Sequence, residues 1–126
     1  MKKLIFVYGT LKKGFGNHRV MGDSKLLGEV NIKGFRMYSL GGYPALTLGN
    51  NEIKGEVYEV TDENTLKNIY RLEGYSGVRD SSSNWYDTTD VDTKYGKAEL
   101  FYMKNENEFN NRPVVTDGIW KQSRNW

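Results

Sequence analysis

Glu73 is the residue whose position most clearly suggests acid–base chemistry. It follows apolar residues at helical spacing, Leu66, Ile69 and Tyr70, and therefore falls on the same face of a helix as these side chains. A carboxylate on an apolar face needs a partner or a function. Burial and the negative end of the helix dipole would both raise its pKa and make it a better proton acceptor. The alternative is a frayed helix end that leaves Glu73 in water.

A second candidate is the segment Tyr8-Gly9-Thr10-Leu11, which ends the apolar run Leu4–Tyr8. A glycine after a buried strand favours a tight turn. Such a turn leaves backbone N–H groups without strand partners, and these can bind an anion or polarise a carbonyl group. A plain turn without a function is the alternative.

Two glycine patterns resemble nucleotide-binding motifs, and both fail on detail. The run from Gly9 to Gly14 has the spacing of a phosphate-binding loop, but Phe15 and Gly16 stand where lysine and serine or threonine are required. The pair Gly14 and Gly16 begins a dinucleotide fingerprint, but Arg19 replaces its third glycine and no strand precedes it. The sequence therefore predicts no nucleotide cofactor.

The remaining polar residues suggest less. His18 is either a hydrogen-bonding loop residue or a catalyst, and the first is favoured. The basic cluster of Lys12, Lys13 and Arg19 is interpreted as solvated loop charge. Solvent-facing positions are predicted for the glutamates of the strand patterns, which are Glu29, Glu56, Glu59 and Glu99.

Composition limits the classes of function. A chain of 126 residues with 37% hydrophobic and 27% charged residues is expected to form a single globular domain, residues 1–126. It contains no cysteine and one histidine, which excludes disulfides, a cysteine nucleophile and multi-histidine zinc sites. The net charge of +2 gives no nucleic-acid signal. The N-terminal apolar run is too short for a membrane span or a signal segment, so we expect a cytoplasmic protein.

The elements that must position these residues are mostly strands. Asp62 or Thr61 can cap a helix over Asp62–Leu72, which Gly74 would terminate, and a short helix is expected near His18–Met21. Asn50-Asn51 is interpreted as a hairpin turn. Trp120 and Trp126 are possible anchors of the Asn-rich tail. The predicted strands are Leu4–Tyr8, Leu26–Ile32, Phe35–Leu40, Ala45–Leu48, Ile53–Val60, Trp85–Thr93 and Lys97–Met103, an α+β pattern.

Tyr8-Gly9-Thr10-Leu11 after a buried strand resembles the signature of gamma-glutamyl cyclotransferase-like proteins. Its extension to Gly14, followed by Asn17-His18-Arg19-Val20, is similar to the gamma-glutamylamine cyclotransferase branch. Further matches follow in order: Tyr43-Pro44, Gly55-Glu56-Val57-Tyr58 and Leu72-Glu73-Gly74-Tyr75. There are two departures, since Tyr70 stands where family members often carry aspartate and Thr88 where many carry arginine.

The resemblance implies a small, mixed, partly closed β-barrel flanked by helices. It also implies that Glu73 is the catalytic acid and base and that Tyr8, Gly9, Thr10 and Leu11 bind the gamma-glutamyl group. Tyr43 and Tyr86 would line the same pocket.

The implied reaction is attack by the substrate's own α-amine on its γ-carbonyl, which releases 5-oxoproline without a metal or other cofactor. The implied partner is a small gamma-glutamyl molecule, with no nucleic acid or membrane, bound by a monomer or weak homo-oligomer. The alternative is a non-catalytic ligand-binding or interaction module on the same fold.

Overall fold

The structure is a computed structural model that describes residues 1–109 and 111–121. Trp126, predicted as an anchor, lies outside these residues, whereas Trp120 is buried in the core as expected. The elements in chain order are β1 (Lys3–Val7), a 3-10 helix (His18–Met21), β2 (Lys25–Ser39), β3 (Pro44–Val60), α1 (Glu63–Glu73), β4 (Asp87–Thr93), β5 (Gly96–Tyr102) and a second 3-10 helix (Glu106–Phe109).

The strands form one five-stranded mixed sheet in the order β2-β3-β1-β5-β4. β1 lies at its centre, antiparallel to β3 and parallel to β5. Because side chains alternate along a strand, Ile5 and Val7 enter the core under α1, whereas Phe6 and Tyr8 enter a second core inside the curl of the sheet. The α+β fold class is confirmed.

The sheet curls until its two ends touch. Tyr95, in the turn between β4 and β5, lies so close to Gly28 of β2 that a Cβ atom on Gly28 would overlap the tyrosine hydroxyl. No ladder of hydrogen bonds joins β2 to β4 in the described sheet. The described sheet is therefore curled but not closed into a barrel, and its two ends meet only at this side-chain contact.

The predicted division of β2 and β3 is wrong. Gly34, at φ +98°, does not end a strand, and Asn50-Asn51 is not a hairpin turn. Both positions lie at an irregularity of one long ribbon, where Phe35 faces both Leu48 and Asn51. The reversal occurs at residues 40–43, where the Leu40 N–H donates to the Tyr43 carbonyl oxygen over 2.9 Å.

The predicted helix is present and ends one residue later than expected. The Asp62 carboxylate accepts from the Asn64 N–H at 3.3 Å and from the Thr65 hydroxyl at 2.9 Å, which satisfies the first turn. Gly74, in the left-handed conformation at φ 64°, ends it. Ile69 is fully buried beneath the helix, which turns Glu73 toward the protein as the spacing predicts.

Two of the glutamates predicted to face solvent are buried. Glu56 accepts from the Lys13 N–H at 2.9 Å and from the Tyr58 hydroxyl at 3.0 Å. Glu99, only 4% exposed, accepts from the Tyr70 hydroxyl. The alternation along the strands correctly placed Glu56 and Glu99 on the face opposite the apolar one. This face is not exposed to solvent, however, because loops and α1 cover it. Glu29 is exposed and Glu59 is half-buried.

Lys12 also departs from its predicted solvated position, whereas Lys13 and Arg19 are exposed. The Nζ atom of Lys12 donates to the Trp120 carbonyl oxygen at 2.9 Å and lies 4.8 Å from the centre of the Phe15 ring. Burial lowers the pKa of this ammonium group, although the nearby Glu56 opposes the effect. Within the described residues, no helix has the length and apolar character needed to cross a membrane.

Candidate active site

A cavity of about 340 Å³ opens where β1 ends. Its walls come from the turn after β1, the turn before β3, the end of α1 and the segment before β4. The structure brings all the predicted site residues to this one cavity, namely Tyr8, Gly9, Thr10, Leu11, Tyr43, Glu73 and Tyr86.

Among the described residues of the lining, Glu73 is the only ionisable acid or base apart from tyrosine. Its side chain is half-buried and accepts no hydrogen bond from any described residue. Burial raises its pKa from 4.5 to about 7, because desolvation disfavours the carboxylate. A carboxyl group with this pKa can both take up and return a proton near neutral pH.

The end of the helix holds Glu73 in place through backbone contacts. The Tyr86 N–H donates to the Glu73 carbonyl oxygen at 3.2 Å, and the Trp85 N–H donates to that of Gly74 at 2.8 Å. A Cβ atom on Gly74 would lie 2.7 Å from the Cβ of Trp85. Glycine at this position therefore serves both the left-handed helix end and the close approach of the next segment.

The turn after β1 leaves its own N–H groups available. Its carbonyl groups are used, since the Lys12 N–H donates to the Gly9 oxygen at 3.1 Å and the Asn17 N–H to the Thr10 oxygen at 3.0 Å. The Asn17 side chain also donates to the Thr10 hydroxyl at 3.0 Å. Among the described residues, no acceptor is found for the N–H groups of Gly9, Thr10 and Leu11, all of which line the cavity.

Two tyrosines of the lining, Tyr8 and Tyr86, have already used their hydroxyl protons. Tyr8 donates to the Phe101 carbonyl oxygen at 2.6 Å, and Tyr86 donates to that of Pro44 at 2.7 Å. Burial raises the pKa of both hydroxyls, and the charge of Glu73 adds to the effect. These tyrosines therefore stay protonated and shape the cavity, while Glu73 remains the group that titrates.

His18 does not line the cavity. Its Nδ1 atom lies 2.9 Å from the Leu11 carbonyl oxygen, so it supports the turn after β1 from behind. The interpretation of His18 as a hydrogen-bonding loop residue is therefore confirmed. In the part of the chain that is described, no group of acidic and histidine side chains is arranged to hold a metal ion.

Sequence reasoning missed several residues of the lining. Asn17 belongs to a segment quoted for the family resemblance but was given no role in the site. Leu72 and Trp85 adjoin Glu73 and Tyr86 in the sequence, which is the signal that could have identified them. No lysine, arginine or histidine occurs among the described residues of the lining.

Thr88, which stands where many relatives have arginine, is buried outside the cavity. The Arg79 Nε atom donates to its hydroxyl at 3.0 Å, and Arg79 also pairs with Asp90 at 2.8 Å. A guanidinium group thus lies beside position 88, but it is supplied by Arg79 of the loop before β4 and not by residue 88 itself. Arg79 does not line the cavity.

The family model for "gamma-glutamyl cyclotransferase, AIG2-like" matches residues 5–122. The chain belongs to this family.

Individual relatives agree with this assignment. The gamma-glutamylcyclotransferase family protein YtfP of Escherichia coli K12 is 36% identical over 115 residues, which cover 91% of this chain and 87% of the relative. A gamma-L-glutamyl-butirosin B gamma-glutamyl cyclotransferase of Niallia circulans is 45% identical over 78 residues, 61% of this chain and 49% of that protein. A crystal structure from Pyrococcus horikoshii has a TM-score of 0.74 at 31% identity and covers 93% of this chain and 88% of its own. Family membership supports cyclotransferase activity.

Proposed function

We propose that this protein is a gamma-glutamyl cyclotransferase that releases 5-oxoproline from a gamma-glutamyl amine or a related gamma-glutamyl compound. Glu73 acts as general base and then as general acid. The observation that carries the proposal is the half-buried Glu73 carboxyl group, whose pKa is raised to about 7. Within the described part of the chain this group has no hydrogen-bond partner, and the cavity also presents N–H groups without acceptors.

The raised pKa of Glu73 suits proton transfer from the substrate α-ammonium group. An α-amine has a pKa of about 7.7–8.0, and an unperturbed glutamate of about 4.3 would accept its proton at a cost of roughly 5 kcal/mol. With the pKa of Glu73 at about 7, the remaining gap of about one unit corresponds to roughly 1.4 kcal/mol. Burial of the carboxyl group therefore removes most of the barrier to forming the nucleophile.

The proposed reaction balances without an added reactant. Glu73 takes a proton from the substrate α-ammonium, and the free amine attacks the γ-carbonyl carbon to form the lactam C–N bond. As the amide C–N bond breaks, Glu73 returns its proton to the leaving nitrogen. The attacking nitrogen gives up its second proton to the departing amine, which leaves as an ammonium ion. The N–H groups of Gly9, Thr10 and Leu11 are free to stabilise either the α-carboxylate or the oxyanion of the intermediate.

The test is release of 5-oxoproline by the wild-type protein and by Glu73→Gln. We expect the variant to fold and to lose at least about 100-fold in kcat, because it cannot exchange a proton. Glu63→Gln is the matched control, since it makes the same chemical change at the exposed start of the same helix. A folded Glu73→Gln protein with full activity would remove Glu73 from the mechanism. If the wild-type protein binds a gamma-glutamyl ligand but releases no lactam, it is the non-catalytic module instead.

A substrate panel tests the preference for amines. The described lining offers no cation to a carboxylate on the leaving group, and Arg79 lies outside it. A gamma-glutamyl amine needs no such cation, whereas the cysteinylglycine leaving group of glutathione carries a terminal carboxylate. We expect kcat/KM for gamma-glutamyl amines to exceed that for glutathione by at least about tenfold, roughly 1.4 kcal/mol. Equal values would overturn this preference and leave cyclotransferase activity intact.

A further inference from the structure

Large apolar side chains surround the mouth of the cavity. Tyr43 is 40% exposed, Leu72 is 43% exposed and Trp85 is 61% exposed, and all of them line the cavity. Exposed apolar residues are usually scattered singly over a protein surface. Here they come from separate parts of the chain, the turn before β3, the end of α1 and the segment before β4, and meet beside Glu73.

Trp85 combines a fixed backbone with an exposed ring. Its N–H donates to the Gly74 carbonyl oxygen at 2.8 Å, and its Cβ packs where a side chain on Gly74 would lie. The next residue, Tyr86, is tied to Glu73 and is buried. An indole ring that is left mostly in water contributes little to the fold, and covering it with a ligand contributes binding energy. Because the backbone that carries it is already held in place, the cost in conformational entropy is reduced.

The charge of the lining restricts what can cover this rim. Glu73 carries the negative charge of the lining, and no described lining residue carries a positive one. A carboxylate beside the scissile amide would lose water without gaining a partner. A ring or hydrocarbon face at the same place would gain contact with Tyr43, Leu72 and Trp85.

We propose that Tyr43, Leu72 and Trp85 form the subsite for the leaving group, and that it selects amines with an apolar or ring face next to the amide nitrogen and no carboxylate there. This inference rests on the proposed function, because the leaving group is defined by the cyclotransferase reaction. Trp85 is the specificity-determining residue of the subsite, since it is the largest and most exposed member.

The experiment compares gamma-glutamyl derivatives of methylamine, benzylamine and phenylalanine by the release of 5-oxoproline. We expect kcat/KM for the benzylamine derivative to exceed that for each of the other two by at least about tenfold in the wild-type protein. In Trp85→Ala the ratio of benzylamine to methylamine derivative should fall to within about twofold. Trp85→Phe, which keeps an aromatic ring, should restore most of it and guards against a folding defect.

Val78→Ala is the matched control, because Val78 is 64% exposed and does not line the cavity. It should keep the wild-type ratio. Equal kcat/KM for the benzylamine and methylamine derivatives in the wild-type protein, or the same ratio in Trp85→Ala, overturns the subsite while leaving the reaction established. If no derivative yields 5-oxoproline, the proposed function fails. Calorimetric binding of the benzylamine derivative that is tighter than that of the methylamine derivative and depends on Trp85 would then still support the subsite, and equal binding would overturn it.

Discussion

The hydroxyl of Tyr70 donates to Oε1 of Glu99 over 2.5 Å and so ties the face of α1 that carries Glu73 to β5. Tyr70 precedes Glu73 by one helical turn. Glu99 is buried and also lies 3.5 Å from the Nζ of Lys3 and 3.6 Å from a guanidinium nitrogen of Arg79. Tyr70 thus donates a hydrogen bond to a carboxylate that the sheet supplies.

Tyr70→Phe should destabilise the protein by about 1–3 kcal/mol, because it leaves a buried carboxylate short of one donor. The measurement is the free energy of unfolding in urea. Tyr102→Phe is the control, since no hydrogen bond is found for the half-buried Tyr102 hydroxyl among the described residues. A loss of stability no larger than that of the control would contradict a structural role for the Tyr70 hydroxyl.

The pH dependence of turnover should identify Glu73. Its pKa is raised to about 7 by burial, so kcat/KM should rise as the pH passes through about 7 and the carboxylate forms. The value of kcat/KM should fall again near pH 8, where the substrate α-ammonium loses its proton. Neither Glu73 nor the substrate amine then holds a proton that can be given to the leaving nitrogen. An acid limb near 4.5 would show that the titrating group is an ordinary carboxylate.

Glu73 should also weaken the fold in a pH-dependent manner. Its pKa is about 7 in the folded protein and 4.5 ordinarily, so the folded state holds the proton more tightly and stability falls as the pH rises between these values. The full cost, present above pH 7, is at most about 3 kcal/mol. Glu73→Gln should therefore gain stability relative to wild type from pH 5 to pH 8 in thermal or urea unfolding. Glu63→Gln should show no such gain, and a pH-independent difference for Glu73→Gln would argue against burial of the charge.

Gly9 should be intolerant of a side chain. A Cβ atom there would lie 2.7 Å from Cγ and 2.9 Å from Cδ of Pro44, and both residues line the cavity. Gly9→Ala should lower kcat/KM at least about tenfold by pushing these walls apart, since small misplacements in a site cost rate. Gly16→Ala is the control, because no heavy atom of the described residues beyond its two chain neighbours lies within 4 Å of its Cβ position. Equal activity of the two variants would contradict the role of this contact.

The sequence was informative where function depends on short segments. The run ending at Tyr8 and the spacing that leads to Glu73 predicted a strand and a helix, because each depends on local periodicity. The meeting of the site residues in one pocket was instead implied by the family resemblance. Local patterns could not show, however, whether the polar face of a strand is exposed to solvent or covered by another part of the chain. Glu56 and Glu99 alternate as solvent-facing residues should, and only the packing of Lys13 and Tyr70 against them shows otherwise.

Long-range pairing explains the other errors. Gly34 and Asn50-Asn51 have the composition of turns, but the two strands pair beyond them and absorb the extra residues at Phe35. Trp85 was assigned to a strand, whereas its backbone instead caps the end of α1. The sequence could not show that Trp85 lines the cavity, because this depends on Leu72 and Tyr43, which only the folded chain brings to the same cavity.

The seam between Gly28 and Tyr95 lies at the two ends of the sheet, whereas β1, which leads into the cavity, is bordered by a strand on each side. A structural change at this contact would therefore have to displace β3 or β5 before it could move Gly9, which follows β1. The cavity is thus separated from the seam by the inner strands of the sheet, so a change in the turn at Tyr95 or in β2 beside Gly28 should leave the walls formed by Gly9 and Pro44 in place.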